Sequence, residues 1–435
     1  MQEKESFSFI NEKIKEKPLN KKRIVFRAVF CVAMAVVFGV VAALVFTLVQ
    51  PRFEELLYPQ EPPFVSIPRD DVLETEQTEE TETMIPETET EETKEPETEL
   101  AQEPAEQPVK TFEPEDYQAL QNKLYAVGKE ANRAIVTVTG VKSDTDWFQN
   151  PYESKGQASG LIVARNGGEL LILTERKVIA DVEEIYVTFI NEVTVAASMK
   201  KYDGNTGIAI LSVPVAQITQ GTLNAIQIAN LGNSLATTQG TLAIAIGSPL
   251  GTNYSILTGT ITSATNSICT IDNNYTVFTT DIVGSSNGSG VLINVAGEVI
   301  GLVMQGYSSA GDANTLTAIS ISELKAIIEM LSNGKDVPYL GLELTTVTND
   351  IAKEYDMPKG VYIKEVKMDS PAMAAGLQSG DVLTKMDGDS IFTVDGYENR
   401  LLELAPGDTV KITFERQGTD GYTEIDCEVE VSVLQ

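Results

Sequence analysis

The sequence predicts a mainly β protein with an N-terminal transmembrane helix, a disordered acidic linker and a separate α+β domain at the C-terminus. Three observations support this fold class. Residues 28–49 carry no charge, residues 134–320 form short β-branched runs broken by Gly and Asn, and residues 336–435 combine strands with two short helices. Many short strands with regular turns are typical of all-β barrels and sandwiches. With 435 residues, 42% of them apolar, the chain is long enough for two or three domains with cores of their own.

The first predicted element is a transmembrane helix over residues 28–49. These 22 uncharged residues would be about 33 Å long as a helix, and the hydrocarbon core of a bilayer is about 30 Å thick. A cleaved signal peptide has a shorter apolar run of about 7–15 residues, so we expect a retained single-pass anchor. The preceding tail, residues 1–27, has eight basic and four acidic side chains. This basic flank predicts a cytoplasmic N-terminus, with the remaining domains outside the cell membrane.

An acidic linker is predicted over residues 50–116. Within it, residues 70–116 carry 19 acidic and two basic side chains, which is −17 of the net charge of −31. A Glu-, Thr- and Pro-rich stretch with few large apolar residues cannot bury enough surface to offset the entropy of ordering, so we expect an extended, self-repelling tether. The alternative is a segment that binds cations or spaces the protein from a cell wall.

The main β unit is predicted over residues 117–335. Leu120, Leu124, Val127 and Ala131 have helical spacing and precede the first strand, and the β-branched runs follow. The segment that begins at Ser322 has a serine N-cap and an apolar face, and Asn333-Gly334 is a typical helix end. This last helix places a domain boundary near residue 335.

Composition excludes several function classes. The chain has no histidine, so it cannot carry a Ser-His-Asp triad, a Cys-His dyad or a histidine-ligated metal site. Three cysteines are too few for a Cys₄ site, and the excess of acidic residues argues against binding to nucleic acid. We therefore expect no cofactor, no metal and no nucleic-acid partner.

The C-terminal segment, residues 336–435, resembles a PDZ domain. The resemblance rests on Val361-Tyr-Ile-Lys-Glu-Val, on the run from Asp369-Ser-Pro-Ala-Met-Ala-Ala-Gly-Leu to Lys385-Met-Asp-Gly, and on Leu404-Ala-Pro-Gly-Asp-Thr-Val. PDZ domains add an extended peptide to a sheet edge and bind its terminal carboxylate with backbone N–H groups. The resemblance implies a carboxylate-binding loop at Tyr339, Leu340, Gly341 and Leu342. Tyr397 and Leu401 line the groove or, alternatively, belong to the core.

Residues 134–330 resemble the trypsin-like domain of the HtrA (DegP-like) proteases. The shared blocks are Ala243-Ile-Ala-Ile-Gly-Ser-Pro-Leu-Gly, Thr258-Gly-Thr-Ile-Thr-Ser-Ala and Gly297-Glu-Val-Ile-Gly-Leu-Val. The family also has the same order of anchor, linker, barrels and PDZ domain. The resemblance therefore implies a trypsin-like double β-barrel, and it implies assembly as a homo-trimer.

The catalytic blocks of that family are altered in this chain. Lys177 lies where the family has its histidine, and Gly207 replaces the aspartate. The nucleophile block reads Ser286-Asn-Gly-Ser-Gly-Val-Leu and is one residue short, so either Ser289 or Gly288 occupies the nucleophile position. No triad is intact, and removing the base and its orienting carboxylate costs several powers of ten in rate.

These residues predict that the chain is not an enzyme but a pseudoprotease. We expect it to bind peptides or the C-termini of unfolded proteins outside the membrane. This would be a role in protein quality control. The alternative is a serine endopeptidase in which Lys177 acts on Ser289. A lysine base needs a lowered pKa and therefore burial, whereas the adjacent Glu175 and Arg176 indicate a solvated loop.

Overall fold

The computed structural model describes residues 21–57, 64–70, 113–145, 151–309, 311–312 and 314–434. The chain divides into two units, residues 1–63 and residues 64–435. In the first unit, helix α1 (Lys21–Leu57) contains the stretch Val25–Ala43, which is long and apolar enough to cross a membrane. The helix extends beyond the predicted span of 28–49 at both ends, because Lys, Arg and Glu are good helix formers and continue the helical segment.

The second unit begins with α2 and a closed antiparallel barrel. Helix α2 (Pro114–Ala131) starts with a capping box between Glu113 and Asp116, and a proline occupies its first turn. The strand order in the barrel is β1-β2-β3-β6-β5-β4. Its strands are β1 (Ile135–Thr145), β2 (Pro151–Asn166), β3 (Glu169–Glu175), β4 (Glu184–Thr188), β5 (Thr194–Tyr202) and β6 (Ile208–Pro214).

A second closed barrel follows after the short helix α3 (Gln220–Ala225). Its strand order is β10-β11-β12-β9-β8-β7, and its last strand leads into helix α4 (Ile321–Ser332). The strands are β7 (Leu242–Ser248), β8 (Ser255–Cys269), β9 (Asn274–Val283), β10 (Ser289–Ile293), β11 (Val299–Met304) and β12 (Thr315–Ser320). The predicted double barrel is therefore confirmed.

The third domain is α+β, as predicted. Its sheet has the strand order β13-β14-β15-β17-β18, and β16 pairs with β15. The strands are β13 (Leu342–Thr346), β14 (Val361–Val366), β15 (Val382–Met386), β16 (Asp389–Ser390), β17 (Thr409–Gly418) and β18 (Gly421–Glu430). Strand β13 lies at the edge of this sheet. The domain has three helices, one more than predicted: α5 (Asn349–Glu354), α6 (Pro371–Ala374) and α7 (Val394–Leu402).

Each barrel and the third domain has its own buried apolar core, and a further core lies between the barrels. This central core takes side chains from both barrels, from α2 and from α4. It fixes the position of the two barrels relative to each other, and this positions the residues at their junction.

Residues 64–70 contribute to the central core as well. Val65 and Ile67 are buried in it. The backbone N–H of Val65 donates to Asn333 Oδ1 at 2.8 Å, and that of Ile67 donates to Glu329 Oε2 at 2.6 Å. This segment lies within the predicted linker of 50–116 but packs against α4. Residues 58–63 and 71–112 of that linker lie outside the described residues.

Candidate catalytic and peptide-binding sites

Ser289 lies at the junction of the two barrels. It is the first residue of β10, it is 2% exposed, and its Oγ accepts a hydrogen bond from the backbone N–H of Ser159 in β2 at 2.9 Å. The hydroxyl of Ser159 donates to Asn253 Oδ1 at 2.7 Å, and Asn253 Nδ2 donates to Thr137 Oγ1 at 2.6 Å. The Ser289 hydroxyl thus belongs to a buried polar network that joins the barrels.

Glycines allow the close approach of the strands around Ser289. Gly290 has φ +132°, and a Cβ there would overlap the carbonyl oxygen of Ile246. Gly247, its partner in β7, has φ +110°, and a Cβ there would lie 2.8 Å from Ser159 Oγ. A side chain at Gly290 would push β10 away from β7, and one at Gly247 would push β7 away from β10 and from Ser159 of the first barrel.

Gly288 closes the turn before β10. Its backbone N–H donates to the carbonyl of Ser285 at 2.8 Å, and a Cβ at this position would lie 2.7 Å from the carbonyl oxygen of Pro249. Ser289 and Gly288 are therefore consecutive, with the serine hydroxyl directed into the junction and the glycine in the turn. The turn uses the Gly288 N–H, so this group is not free to stabilise an oxyanion.

Lys177 and Gly207 lie close to each other at one end of the first barrel. Lys177 is in the 3₁₀ turn after β3, and the carbonyl of Gly207 accepts a hydrogen bond from the N–H of Arg176 at 2.7 Å. Gly207 has φ +75°, a left-handed conformation that disfavours other residues. Lys177 Nζ lies 2.6 Å from Glu175 Oε2, and the lysine side chain is 47% exposed.

Two buried carboxylates lie near these positions. Burial raises the pKa of Glu175, and the ion pair with Lys177 partly opposes this effect. Asp203 closes the turn before Gly207, because its carboxylate accepts hydrogen bonds from the backbone N–H groups of Asn205 and Thr206. In the described part of the chain no hydrogen bond joins Lys177 to Ser289, so the two are held by separate partners.

The predicted peptide-binding residues meet at the edge of the third domain. Residues 339–342, the carboxylate loop, lead into the edge strand β13, which begins at Leu342. Tyr397 and Leu401, on α7, belong to the same buried core as Leu340 and Leu342, which favours the core alternative for these two positions. Gly341 has φ +93°, and a Cβ there would overlap Ser370, so the loop conformation depends on glycine. Leu340, Leu342, Tyr397 and Leu401 are each at most 2% exposed.

The carboxylate loop already binds a carboxylate, that of Asp272. Three backbone N–H groups, of Leu340, Gly341 and Leu342, donate to it at 2.8, 2.8 and 3.1 Å. The Tyr397 hydroxyl donates to it as well, at 2.8 Å. Asp272 lies in the turn between β8 and β9. The sequence analysis missed this residue, because Ile-Asp-Asn-Asn is typical of any hairpin turn and carries no signal of a contact with residues 340–342.

Two family models match the chain. Residues 158–302 match the trypsin-like peptidase domain, and residues 338–427 match the PDZ domain. The "Serine protease Do-like HtrA" of Lactobacillus helveticus is 31% identical over 300 residues, which are 65% of this chain and 71% of that protein.

The chain belongs to the HtrA family. A second relative, the "Probable periplasmic serine endoprotease DegP-like" of Hahella chejuensis, is 29% identical over 66% of this chain and 59% of its own length. Two solved structures, of the HtrA-type protease AlgW with a decapeptide and with a tripeptide, have TM-scores of 0.52 and 0.51 and are 20% and 21% identical. Each covers 71% of this chain, and the match spans 98% and 97% of those chains. At this identity they support the fold.

The prediction that this HtrA-family chain is not an enzyme is contradicted. Its relatives are named serine proteases, and residues 158–302 match a peptidase domain, so the comparison points to protease activity. The prediction relied on the missing imidazole. Losing the imidazole lowers the rate of hydrolysis. A triad protease without it still accelerates the reaction roughly 10³–10⁴-fold over water, because it binds the substrate and stabilises the oxyanion.

Proposed function

We propose that this HtrA-family protein is a membrane-anchored, extracytoplasmic protein that binds peptides or unfolded proteins by their free C-termini through its PDZ domain. One observation carries the proposal: the carboxylate loop directs three backbone N–H groups and the Tyr397 hydroxyl at a single carboxylate. Charge-assisted hydrogen bonds of this kind are stronger than those to a neutral acceptor.

The surroundings of the loop fit a peptide. Strand β13 lies at the edge of its sheet, so its backbone can pair with an added strand. Leu340, Leu342 and Leu401 belong to the buried apolar core directly behind the loop. An apolar C-terminal residue with a free carboxylate is the ligand that this chemistry favours.

Membrane anchoring rests on α1. Its stretch Val25–Ala43 is long and apolar enough to span a membrane. The basic residues before this stretch favour a cytoplasmic N-terminus. Protease added outside intact cells is expected to digest the barrels and the PDZ domain. Protection of these domains until the membrane is permeabilised would contradict the proposed topology.

The homo-trimer stays a prediction. Measuring the molar mass of the detergent-solubilised chain tests it.

Peptide binding is tested by titrating the full chain, in detergent micelles, with fluorescent decapeptides that end in Val, Leu or Phe. Each peptide is used as the free acid and as the C-terminal amide. We expect the free acids to bind more tightly, and Gly341→Ala to weaken binding because its Cβ would overlap Ser370. Gly306→Ala is the matched control, because nothing lies within 4 Å of its Cβ. Equal binding of acids and amides would contradict the proposal.

A second candidate function is hydrolysis of peptide bonds at Ser289. The names of the relatives favour it, and so does the peptidase match, which includes Lys177, Gly207 and Ser289. The chain has no histidine, so a base other than imidazole is required, and Lys177 is the candidate that the family resemblance gives. Both side chains would first have to leave their present partners, Ser159 and Glu175.

A fluorophosphonate probe and unfolded casein test this second function. If Ser289 is a nucleophile, the wild-type chain is labelled and cleaves casein, and Ser289→Ala abolishes both signals. Ser286→Ala, at an exposed position in the preceding turn, should retain them. A wild-type chain that is neither labelled nor active would exclude hydrolysis at Ser289.

A further inference from the structure

The turn between β8 and β9 lies in the groove of the PDZ domain. This β8–β9 turn, residues 270–273, belongs to the second barrel. Its Asp272 is 6% exposed and lies more than 60 residues before the carboxylate loop in the sequence. The contact therefore joins two domains, each with its own core.

Asp272 accepts hydrogen bonds in the arrangement expected for the terminal carboxylate of a bound peptide. Its Oδ2 takes the N–H groups of Leu340 and Gly341, and its Oδ1 takes the N–H of Leu342 and the Tyr397 hydroxyl. Burial raises the pKa of Asp272, and these four donors act in the opposite direction. Burial and the neighbouring carboxylate raise the pKa of Tyr397 well above its usual value, so its hydroxyl keeps its proton and remains a donor.

The backbone of the turn also pairs with the edge strand. Ile271 forms an antiparallel bridge with Glu343, and the N–H of Asp272 donates to the carbonyl of Leu342 at 2.6 Å. These two contacts are made by the main chain of the turn. A peptide that adds to a sheet edge makes main-chain contacts of this kind. The turn thus supplies both a carboxylate and a short antiparallel pairing.

Among the described residues, little space is left beside Asp272. The cavity beside Asp272, which Tyr275, Tyr339, Glu398 and Leu401 also line, has a volume of about 30 Å³. This space suits a water molecule and not a peptide side chain. An external peptide can reach the carboxylate loop only if the β8–β9 turn leaves it.

We propose that Asp272 is an internal ligand of the PDZ domain, which occupies the carboxylate loop and competes with external C-termini for it. The inference rests on the proposed peptide-binding function and adds its regulation. Because the competitor is part of the same chain, it acts at a high effective concentration. External peptides must therefore bind more weakly to the wild-type chain than to a chain that lacks the Asp272 carboxylate.

The test compares peptide affinities of the full chain in detergent micelles. Asp272→Gly removes the carboxylate and suits the left-handed backbone at this position, where φ is +61°. Asp181→Gly is the matched control, since Asp181 has φ +55° and is exposed. The probes are decapeptides with a free C-terminal Val, Leu or Phe. We expect Asp272→Gly to bind them at least tenfold more tightly than the wild type and Asp181→Gly.

Equal affinities of Asp272→Gly and the wild type would overturn the inference and leave the proposed function intact. Binding to neither chain would overturn the proposed function. Hydrogen exchange without any peptide then tests the internal ligand by itself. Exchange of the amides of residues 340–342 should be faster in Asp272→Gly than in the wild type, while β17 stays protected because the domain remains folded. Unchanged exchange at 340–342 would overturn the inference.

Discussion

Glu398 is a largely buried carboxyl group on α7, beside the residues of the PDZ groove. Its pKa is raised from 4.5 to about 8. Burial is the main cause, the neighbouring carboxylates of Asp395 and Glu323 act in the same direction, and Arg69 acts against them. In the unfolded chain this group ionises near its ordinary pKa. Between these two values the folded state therefore holds one more proton than the unfolded state.

The free energy of unfolding should accordingly fall as the pH rises from 4.5 to about 8. For Glu398 we expect a loss of up to about 2 kcal/mol, after allowance for solvent screening, and no further loss from this group above pH 8. Denaturant unfolding at several pH values measures this slope. Glu398→Gln should flatten it, whereas the exposed Glu354→Gln should not. If the free energy of unfolding depends on pH equally steeply in Glu398→Gln and in the wild type, Glu398 is ionised in the folded protein.

Ser289 has a structural role that is independent of catalysis. Its Oγ is the partner of the buried N–H of Ser159, and Ser289→Ala leaves that donor without an acceptor. An unsatisfied buried donor costs about 1–3 kcal/mol. We therefore expect Ser289→Ala to lower the free energy of unfolding by this amount, as measured by chemical denaturation. Ser286→Ala should change it by less than about 0.5 kcal/mol. Equal stabilities of the two variants would contradict the role of Ser289 at the junction.

At the scale of elements, the strands could be predicted because β-branched runs such as Ile208–Pro214 and Leu242–Ser248 are bounded by Gly, Asn and Thr. Helices α2 and α4 could be predicted from their apolar spacing. The predicted N-cap at Ser322 is wrong, because α4 begins at Ile321 after Ser320 and the Ser322 hydroxyl donates to Asp70 instead. The packing of residues 64–70 could not be predicted. Its seven residues are too few for a periodic pattern, and its hydrogen bonds go to side chains about 260 positions away.

A buried ion pair adds to the contacts that hold residues 64–70 on α4. Lys325 Nζ lies 2.6 Å from Asp70 Oδ2, and the lysine side chain is only 3% exposed. Asp70→Asn leaves this ammonium group without its carboxylate partner. Breaking a buried pair costs about 3–5 kcal/mol, so we expect a large fall in the thermal midpoint.

A matched control for this prediction is Glu424→Gln. Glu424 pairs with Lys385 between exposed side chains, which are 61% and 40% exposed, and such pairs contribute about 0–1 kcal/mol. The calorimetric midpoint of Glu424→Gln should stay close to that of the wild type. If Asp70→Asn melts at the same temperature as Glu424→Gln, residues 64–70 are not held by this pair.

At the scale of the whole molecule, the sequence predicts the domains and the residues of the groove, but not what occupies the groove. Gly341 and the helix with Tyr397 and Leu401 follow a local pattern that can be read along the chain. Asp272 comes to them from another domain, through the path of the β8–β9 hairpin. Similarly, the histidine and aspartate positions of the triad align with Lys177 and Gly207, whereas the nucleophile position aligns with either Ser289 or Gly288. The pairing of Ser289 with Ser159 depends on how the two barrels meet.

Recognition of a free carboxylate by residues 339–342 and Tyr397 is the basis of the proposed function. The most direct measurement is a calorimetric titration of the full-length Asp272→Gly chain with one decapeptide, prepared as the free acid and as the C-terminal amide. We expect the acid to bind at least tenfold more tightly than the amide, because only the acid replaces the carboxylate that the variant lacks. Equal affinities for the two peptides, or no binding of either, would contradict it.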